Sequence, residues 1–339
     1  GGVLTAEAWE EVRALSEMLD APVLMTSNGR GALSDRDPRA FTGRVAMMDL
    51  VPQADVILAI GTRFLLGGGF GAGPSIEGKL IHADIDAEEI GRNRAADVAL
   101  VGDAKFTAAE LLARAGKHNR SRESRADEYA GIRARHWQAL EGTPWQRSMA
   151  QALRDAMPDD AILVSESTQV GYHVQGGGFE VYEPRSFVTS GYQGTLGYGF
   201  ATALGVAVGN PDRRVVSING DGGFMYNVQE LSTQAQFGIP LVTVVFNDHL
   251  YGNVRRIQTQ RYNGHTIATN LKNPDIAAVA EQFGVAGFHA KTADDLRATL
   301  REALDLNAPA LIEVEQPPTP ELPSSAPMQA LPARPTLLL

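Results

Sequence analysis

Short runs of apolar and β-branched residues recur along the chain and predict strands. Several of these runs are continuously apolar rather than alternating, which is typical of parallel strands covered on both faces. In chain order they are Pro22–Thr26, Asp55–Gly61, Lys79–Ile85, Ala161–Ser165, Arg214–Asn219, Leu241–Phe246 and Ala310–Val314. The sequence therefore predicts sheets of mainly parallel strands.

The segments between these runs carry apolar residues at helical spacing. The run Ala6–Leu19 has this period, and Asp294–Leu306 is a second amphipathic segment. Asn273–Phe283 opens with Asn-Pro, a good cap followed by Pro at the first helical position. Because strands and helices alternate, we expect an α/β fold made of two doubly wound parallel-sheet domains.

A polar, charge-dense segment at 116–126 lacks apolar periodicity and predicts a domain boundary, with a helical connector after it to about Leu140. The first domain opens on "GGVLTAEAWEEV", a strand-to-helix loop without its strand, so we expect an N-terminal truncation. The predicted units are a first domain at 1–115, a linker and connector helix at 116–145, a second domain at 146–316 and an extended or disordered Pro-rich tail at 317–339.

Composition excludes several classes of function. The net charge is -10 and no basic block offsets it, which argues against nucleic-acid and anionic-membrane partners. No apolar run is long enough to span a membrane, and the N-terminus does not resemble a signal peptide. Cysteine is absent, which excludes disulfides and thiolate chemistry and favours a cytoplasmic protein. The histidines show no metal-ligand spacing.

Two polar motifs follow neighbouring predicted strands. Gly220-Asp221-Gly222 follows "VVSI", and Asn247-Asp248 ends the next strand about two dozen residues later. A single right-handed crossover would bring Asp221 and Asp248 to one sheet edge, where open α/β sheets bind ligands. Glycines let backbone N–H groups approach a phosphate, and Mg²⁺ is the cation that carboxylates hold beside phosphates. Alone, each motif also fits a turn or a helix cap.

The combined pattern resembles the thiamine diphosphate enzymes. The lead-in "FVTSGYQGTLGYGFATALG" and the follow-on "YGNVRRIQ" are similar to the acetohydroxyacid synthase-like and pyruvate oxidase-like group. The resemblance covers nearly the whole chain. It identifies the first domain as the central, Rossmann-like domain and the second as the domain that binds the diphosphate and Mg²⁺.

The resemblance implies a set of site residues. The metal ligands would be Asp221, Asp248 and the carbonyl of Leu250; this chain has Asp248 where the family usually has Asn. Leu196 would hold the cofactor in its bent form, and the Gly194 carbonyl would accept from its pyrimidine amine. The implied cofactor-binding residues are Glu166, Ser167, Thr168, Gln169, Gly194, Thr195, Leu196, Gly220, Gly222, Gly223, Tyr251, Gly252 and Asn253.

Alternative interpretations stay open for parts of this set. Ser167 or Thr168 would serve equally as a helix cap, and Leu196 as a core residue at a glycine-rich helix start. Gln169 or His173 could face the substrate. The Arg255 and Arg256 pair could attract a substrate carboxylate or form a solvated helix face.

The chain departs from the family's pattern in three ways. Nothing matches the pyrimidine-binding domain, which supplies the glutamate that activates the cofactor, so we expect no turnover by this chain alone. Asn253 and Ile257 stand where acetohydroxyacid synthases carry Met and Trp. The segment "DPRAFTGRVAMMDLVPQAD" lacks their Gly-Met-His-Gly flavin motif, so FAD is possible but disfavoured.

Two functions follow from the resemblance. The first is a thiamine diphosphate- and Mg²⁺-dependent decarboxylase or carboligase, acetolactate synthase-like, that acts on a small 2-oxo acid as a homodimer or homotetramer. The second is a truncated or split non-catalytic subunit that needs a separate pyrimidine-domain chain. An NAD-binding dehydrogenase is a third candidate, but no G-x-G-x-x-G fingerprint supports it.

Overall fold

The structure is a computed structural model that describes residues 1–64, 74–120, 123–191 and 193–317. Residues 65–73 and the predicted tail from 318 onward lie outside the described residues. Within the described part, no helix is long and apolar enough to cross a membrane.

Eleven strands and thirteen α-helices make up the described chain. The strands are β1 (Val23–Leu24), β2 (Ala40–Phe41), β3 (Val56–Ile60), β4 (Lys79–Asp84), β5 (Val98–Val101), β6 (Ile162–Ser165), β7 (Phe187–Thr189), β8 (Val215–Gly220), β9 (Leu241–Asn247), β10 (Ala286–Ala290) and β11 (Ala310–Glu315). The helices are α1 (Gly2–Thr5), α2 (Trp9–Leu19), α3 (Gly43–Leu50), α4 (Ala104–Ala115), α5 (Ala126–Ala139), α6 (Pro144–Ala156), α7 (Gln169–His173), α8 (Tyr198–Gly209), α9 (Asp221–Phe224), α10 (Leu231–Gln236), α11 (Gly252–Arg261), α12 (Ile276–Gln282) and α13 (Ala293–Leu306).

The second domain is a six-stranded parallel sheet covered by helices on both faces. Its strand order is β10-β11-β9-β8-β6-β7. Leu153 of α6 and Leu300 of α13 pack against one face, and Phe200 of α8 and Ile276 of α12 against the other. Every residue of β9 is buried, which explains its unbroken apolar run. The predicted doubly wound α/β fold is confirmed.

The first domain carries its strands in two smaller parallel sheets. One pairs β1 with β2, and the other has the order β3-β4-β5. Residues of α2 and α4 pack together in the core of this domain, which includes Leu4, Val12 and Leu33. The connector α5 packs Tyr129 and Ile132 onto α3, so the connector helix belongs structurally to the first domain.

Element boundaries differ from the predictions at two helices. The predicted helix Ala6–Leu19 begins only at Trp9, as α2, because Glu7 adopts a non-helical φ of +55°; α1 lies before the predicted range. The predicted helix Asn273–Phe283 begins only at Ile276, where the Asp275 side chain accepts the N–H of Ala278 and caps α12. The expected Asn-Pro cap is therefore wrong, and the Asn273 side chain is used elsewhere.

A buried arginine joins the two domains. Arg30 of the first domain has no exposed surface. Its guanidinium donates to the carbonyls of Val174 and Phe179 in the second domain, and Nη2 lies 3.4 Å from Asp35 Oδ2. Asp35 accepts in turn from the N–H of Val181 at 2.8 Å. The charge is thus compensated by groups from both domains.

Candidate functional site

The carboxyl ends of three neighbouring strands meet at one edge of the second sheet. β8 lies between β6 and β9, and Gly220 is opposite Phe246 in the β8–β9 ladder. Asp221 directly follows β8, and Asp248 directly follows β9. The two acids therefore come from adjacent parallel strands, as the motif spacing predicts.

The two acids are close enough to influence each other's ionisation. Asp221 is almost wholly buried, and burial raises its pKa above the usual range. Burial, together with the charge of Asp221, raises the pKa of Asp248 to about 6. A pair of like charges in a half-buried site is costly unless a cation lies between them.

Asn273 holds the Asp221 carboxylate from outside the two motifs. Its Nδ2 donates to Asp221 Oδ2 at 2.6 Å and to Asn247 Oδ1 at 2.9 Å. Asn247 Nδ2 donates to Glu313 Oε1 at 2.7 Å, and Glu313 Oε2 accepts the N–H of Ile276 at 2.7 Å. This chain of bonds ties the loop before α12 to the acids at the strand ends, and the sequence motifs gave no sign of it.

The segment after β9 offers a backbone carbonyl beside the acids. Leu250 forms an antiparallel bridge with Asn270. Its flanking bonds run from Tyr251 N to Thr269 O and from Leu271 N to His249 O. Leu250 and Asn270 therefore form a non-hydrogen-bonded antiparallel pair, and the Leu250 carbonyl points away from Asn270. Asp248 Oδ1 accepts the Leu250 N–H at 3.1 Å, and Gln316 Nε2 donates to Asp248 Oδ2 at 3.3 Å.

These residues fit a hard divalent cation. Two carboxylates and a backbone carbonyl form the oxygen donor set that Mg²⁺ takes in proteins, together with water and substrate phosphates. The raised pKa of each carboxyl shows that the protein itself does not neutralise the pair fully. We therefore regard Asp221, Asp248 and Leu250 as a chemically consistent metal site, while their ligand roles stay predictions.

Of the two glycines in the first motif, Gly222 leaves no room for a side chain, whereas a Cβ on Gly220 would make only ordinary contact. A Cβ on Gly222 would lie 2.4 Å from Cε1 of Tyr251, and one on Gly220 would lie 3.6 Å from the Cβ of Thr168. A Cβ on Gly252 would lie 3.3 Å from Asp248 Oδ2 and 3.5 Å from Gln169 Nε2. The fold thus brings these predicted cofactor residues together around the two acids.

The crossover from β8 to β9 is not one continuous helix. α9 begins at Asp221 itself, and a 3₁₀ segment at Met225–Glu230 separates it from α10. The break lies at Asn227, whose φ of −128° and ψ of 24° are not helical. The Asn227 side chain donates instead to the carbonyl of Gly197 at 2.5 Å, which explains why the helix is interrupted there.

The loop before α8 is open on one side. Leu196 is 37% exposed, Thr195 is exposed, and a Cβ on Gly194 would meet no atom within 4 Å. The alternative of Leu196 as a core residue is therefore wrong. An exposed aliphatic side chain next to free backbone is a suitable surface for an organic ligand, and the cofactor role of the loop stays a prediction.

Glu166 differs from the other predicted cofactor residues because it is wholly buried. Its Oε1 accepts the Gly197 N–H at 2.5 Å, and its Oε2 has no hydrogen-bond partner within the described residues. Burial raises the pKa of Glu166 to about 7, although N–H groups at the start of α8 act in the opposite direction. Its carboxyl is thus engaged with α8, and contact with a cofactor stays a prediction.

We expect stability to depend on pH through Glu166. The pKa of this acid is raised from 4.5 to about 7 in the folded protein, so folding favours its protonated form. The stabilising contribution of Glu166 to the free energy of unfolding is therefore complete below about pH 4.5 and is lost as the pH rises to about 7. The total change in the free energy of unfolding is about 3 kcal/mol. Urea unfolding of the wild type and of Glu166→Gln between pH 4.5 and 8 measures this difference. A constant difference between the two proteins across that range contradicts the assignment.

The remaining predicted residues occupy the margins of the site. Thr168 precedes α7 without making a capping bond, which leaves its hydroxyl available, and Ser167 is half-buried. Asn253 Oδ1 accepts from Arg256 at 2.7 Å, and Arg255 donates to Asn270. These bonds leave both interpretations of the arginine pair open.

Two histidines, His173 and His289, contact side chains that have structural roles. His173 is buried; its Nδ1 lies 3.0 Å from Thr143 Oγ1 and burial lowers its pKa to about 4, so it does not present a charge to a substrate.

Possible ligand atoms of Asp275, His289 and Glu313 lie within 4.8 Å of one another, contrary to the expectation from histidine spacing. Asp275 caps α12 and Glu313 holds its first N–H groups, so both carboxylates already have partners.

We expect Asn273→Ala to weaken divalent metal binding by about 10- to 100-fold, because groups that orient metal ligands have effects of that size. The substitution removes the donor that fixes Asp221 Oδ2. Electron paramagnetic resonance with Mn²⁺ measures the affinity. The matched control is Asn270→Ala, which removes only an acceptor of the exposed Arg255. Equal affinities of the two variants would show that Asn273 does not orient the acid.

Models of a known family match most of the chain. Residues 1–111 match the central domain of thiamine pyrophosphate enzymes, and residues 169–314 match their C-terminal TPP binding domain. The chain therefore belongs to the thiamine pyrophosphate enzyme family. The resemblance inferred from the two motifs is confirmed at this level.

The curated relatives of this chain include acetolactate synthases. The acetolactate synthase large subunit of Parasynechococcus marenigrum is 31% identical, over 100% of this chain and 58% of its own length. The probable acetolactate synthase large subunit of Methanococcus aeolicus is 31% identical, over 95% and 58% respectively. The acetolactate synthase of Mycobacterium bovis is 33% identical, over 92% and 54%. The chain thus spans somewhat more than half the length of these relatives.

Proposed function

We propose that this chain forms the cofactor-binding part of a thiamine diphosphate- and Mg²⁺-dependent 2-oxo acid decarboxylase or carboligase, acetolactate synthase-like. The observation that carries the proposal is the pair of acids at the ends of adjacent strands, the buried Asp221 and the half-buried Asp248. A cation bound to a diphosphate would offset their like charge. The names of the relatives support the same reaction class.

Each part of the site has a role in this proposal. Asp221, Asp248 and the Leu250 carbonyl would hold Mg²⁺, and the N–H groups of Gly222 and Gly223 would bind the diphosphate. When bound, thiamine diphosphate supplies a nucleophilic carbon and an electron sink for the loss of CO₂ from a 2-oxo acid. The proposal assigns no catalytic acid or base to this chain, because the resemblance implies that the activating glutamate belongs to the pyrimidine-binding domain, and the matched domains are the central and C-terminal ones.

The surroundings of the cofactor would come from the loop before α8 and from α7. Leu196 would support the bent cofactor, the Gly194 carbonyl would bind its amine, and Thr168 and Gln169 would line the diphosphate end. We further propose a small 2-oxo acid substrate, a homodimer or homotetramer, and a cytoplasmic enzyme. FAD is not part of the proposal.

A reconstitution experiment tests the proposal. The complete enzyme, with thiamine diphosphate and Mg²⁺, is given pyruvate and other 2-oxo acids while CO₂ release and carboligation products are measured. We expect turnover that EDTA abolishes and Mg²⁺ restores, because the metal joins the diphosphate to the acids. Absence of turnover with every 2-oxo acid overturns the enzymatic proposal. If this chain gains activity only when a separate pyrimidine-binding chain is added, the alternative of a split subunit is supported.

A further inference from the structure

Both backbone polar groups of Gly197, its N–H and its carbonyl, are hydrogen-bonded by buried or half-buried side chains. Glu166 accepts its N–H at 2.5 Å, and Asn227 donates to its carbonyl at 2.5 Å. Gly197 has a φ of +82°, and a Cβ there would lie 2.9 Å from the Cβ of Tyr226. This residue directly follows the exposed Leu196, so the two bonds fix the end of the open loop.

The Glu166 carboxyl also contacts the glycine turn after β8. A Cβ on Gly223 would lie 2.4 Å from its Oε1, and a Cβ on Gly199 would lie 3.0 Å from its Oε2. The Glu166 N–H donates to Ile218 O at 3.0 Å, which anchors the residue to the sheet. One buried carboxyl therefore fills the space between the start of α8 and the turn at residues 220–223.

We propose that Glu166 is a positioning residue that couples the Gly194–Gly197 loop to the Gly222–Gly223 turn, with Asn227 as the second support of the loop. This inference rests on the proposed function, in which the loop and the turn bind opposite ends of thiamine diphosphate. Glu166 acts through its neighbours, because its own side chain has no exposed surface. The Asn227 side chain donates to the loop at Gly197 O, and no hydrogen bond among the described residues joins it to the turn, so we expect the two side chains to have separable effects.

Hydrogen–deuterium exchange of the cofactor-free protein tests the coupling. We expect Glu166→Ala to accelerate exchange about tenfold in segment 193–200, since one buried hydrogen bond is worth about that factor. It should also accelerate exchange in segment 220–225, where the substitution removes packing against Gly223. Asn227→Ala should accelerate only the first segment. Glu166→Gln keeps an acceptor for the Gly197 N–H and should exchange within about twofold of the wild type.

Some exchange results would overturn the inference. If Glu166→Ala leaves 220–225 unchanged, or if Glu166→Ala and Glu166→Gln exchange alike, Glu166 does not couple the loop and the turn. Should Glu166→Ala fail to fold, Glu166→Asp replaces it. Its carboxylate is one methylene shorter and should loosen both segments, and an exchange pattern equal to the wild type contradicts the inference.

Ligand binding separates this inference from the proposed function. In the complete enzyme with Mg²⁺, Asn227→Ala should raise the Kd of thiamine diphosphate about tenfold and leave the Kd of inorganic pyrophosphate within about twofold. Glu166→Ala should raise both, because it contacts both elements; unchanged pyrophosphate binding contradicts the coupling. If the wild type binds neither ligand, the proposed function fails, while the exchange result still decides the role of Glu166.

Discussion

Asp221→Asn is expected to raise the Kd of thiamine diphosphate with Mg²⁺ by about 100-fold or more and to abolish turnover of the complete enzyme. The substitution keeps the shape of the side chain and an oxygen that Asn273 can bond. It removes one of the two negative charges at the strand ends. Calorimetric titration of the assembled enzyme measures the binding change.

The same variant should not lose stability in the absence of ligand. Burial raises the pKa of Asp221, so its charged form is costly in the folded protein. A neutral amide also removes the like charge that Asp248 experiences. We therefore expect the Tm of the ligand-free variant to equal or exceed that of the wild type, as for substitutions that remove strained site residues.

The control is Asp212→Ala, an exposed acid that precedes β8 at the opposite end of the strand from Asp221. This variant should match the wild type in both binding and Tm. If Asp221→Asn binds the cofactor as the wild type does, the metal site is wrong. A large fall in its Tm would instead show that Asp221 has a structural role.

Arg30→Ala is expected to lower the free energy of unfolding by about 3–5 kcal/mol, the usual cost of breaking a buried charged pair. The substitution removes the donors to Val174 O and Phe179 O and leaves the Asp35 carboxylate without its cation. It also removes the contact of the guanidinium with the Phe187 ring, 4.6 Å from the ring centroid. Urea denaturation at neutral pH measures the loss.

Arg36→Ala is the matched control for this prediction. Arg36 pairs with Asp159 of the second domain at 2.7 Å, but both side chains are more than half exposed. Exposed pairs contribute about 0–1 kcal/mol, so this variant should be nearly as stable as the wild type. If the two variants lose equal stability, Arg30 is not the main link. Arg30→Lys keeps the positive charge but loses the planar set of guanidinium donors. Its free energy of unfolding should lie between those of the wild type and Arg30→Ala.

The strands that the sequence misses all lie at sheet edges, although the edge strands β1 and β3 are among those it predicts. The predicted strands include the central, fully buried β8 and β9. The missed strands are β2, β5, β7 and β10, and each lies at the edge of its sheet. An edge strand has a neighbour on one side only and β5 is largely exposed, so these strands lack the continuous apolar run that identifies a covered one.

Prediction of the site residues from the sequence was limited in a similar way. Asp221 and Asp248 were predictable because one crossover of known length joins their strands. Asn273 could not be found in this way, since it lies 52 residues from Asp221 and its asparagine-proline pair also fits a helix cap. Asn227 likewise looks like an ordinary helical residue until Gly197, 30 residues earlier, is brought next to it. Such partners are defined by tertiary contacts, which leave no local pattern.

The parallel pairing of the strands has a consequence for how the protein folds. All pairings between β1 to β11 in the described residues are parallel, so each requires a crossover and no two of these strands form a β-hairpin that could act as a local nucleus. Chains dominated by such distant pairings fold slowly and stay prone to aggregation while they do so. We therefore expect poor recovery after dilution from urea, and the sheet that unites two distant acids at one edge should be the slowest part of the molecule to assemble.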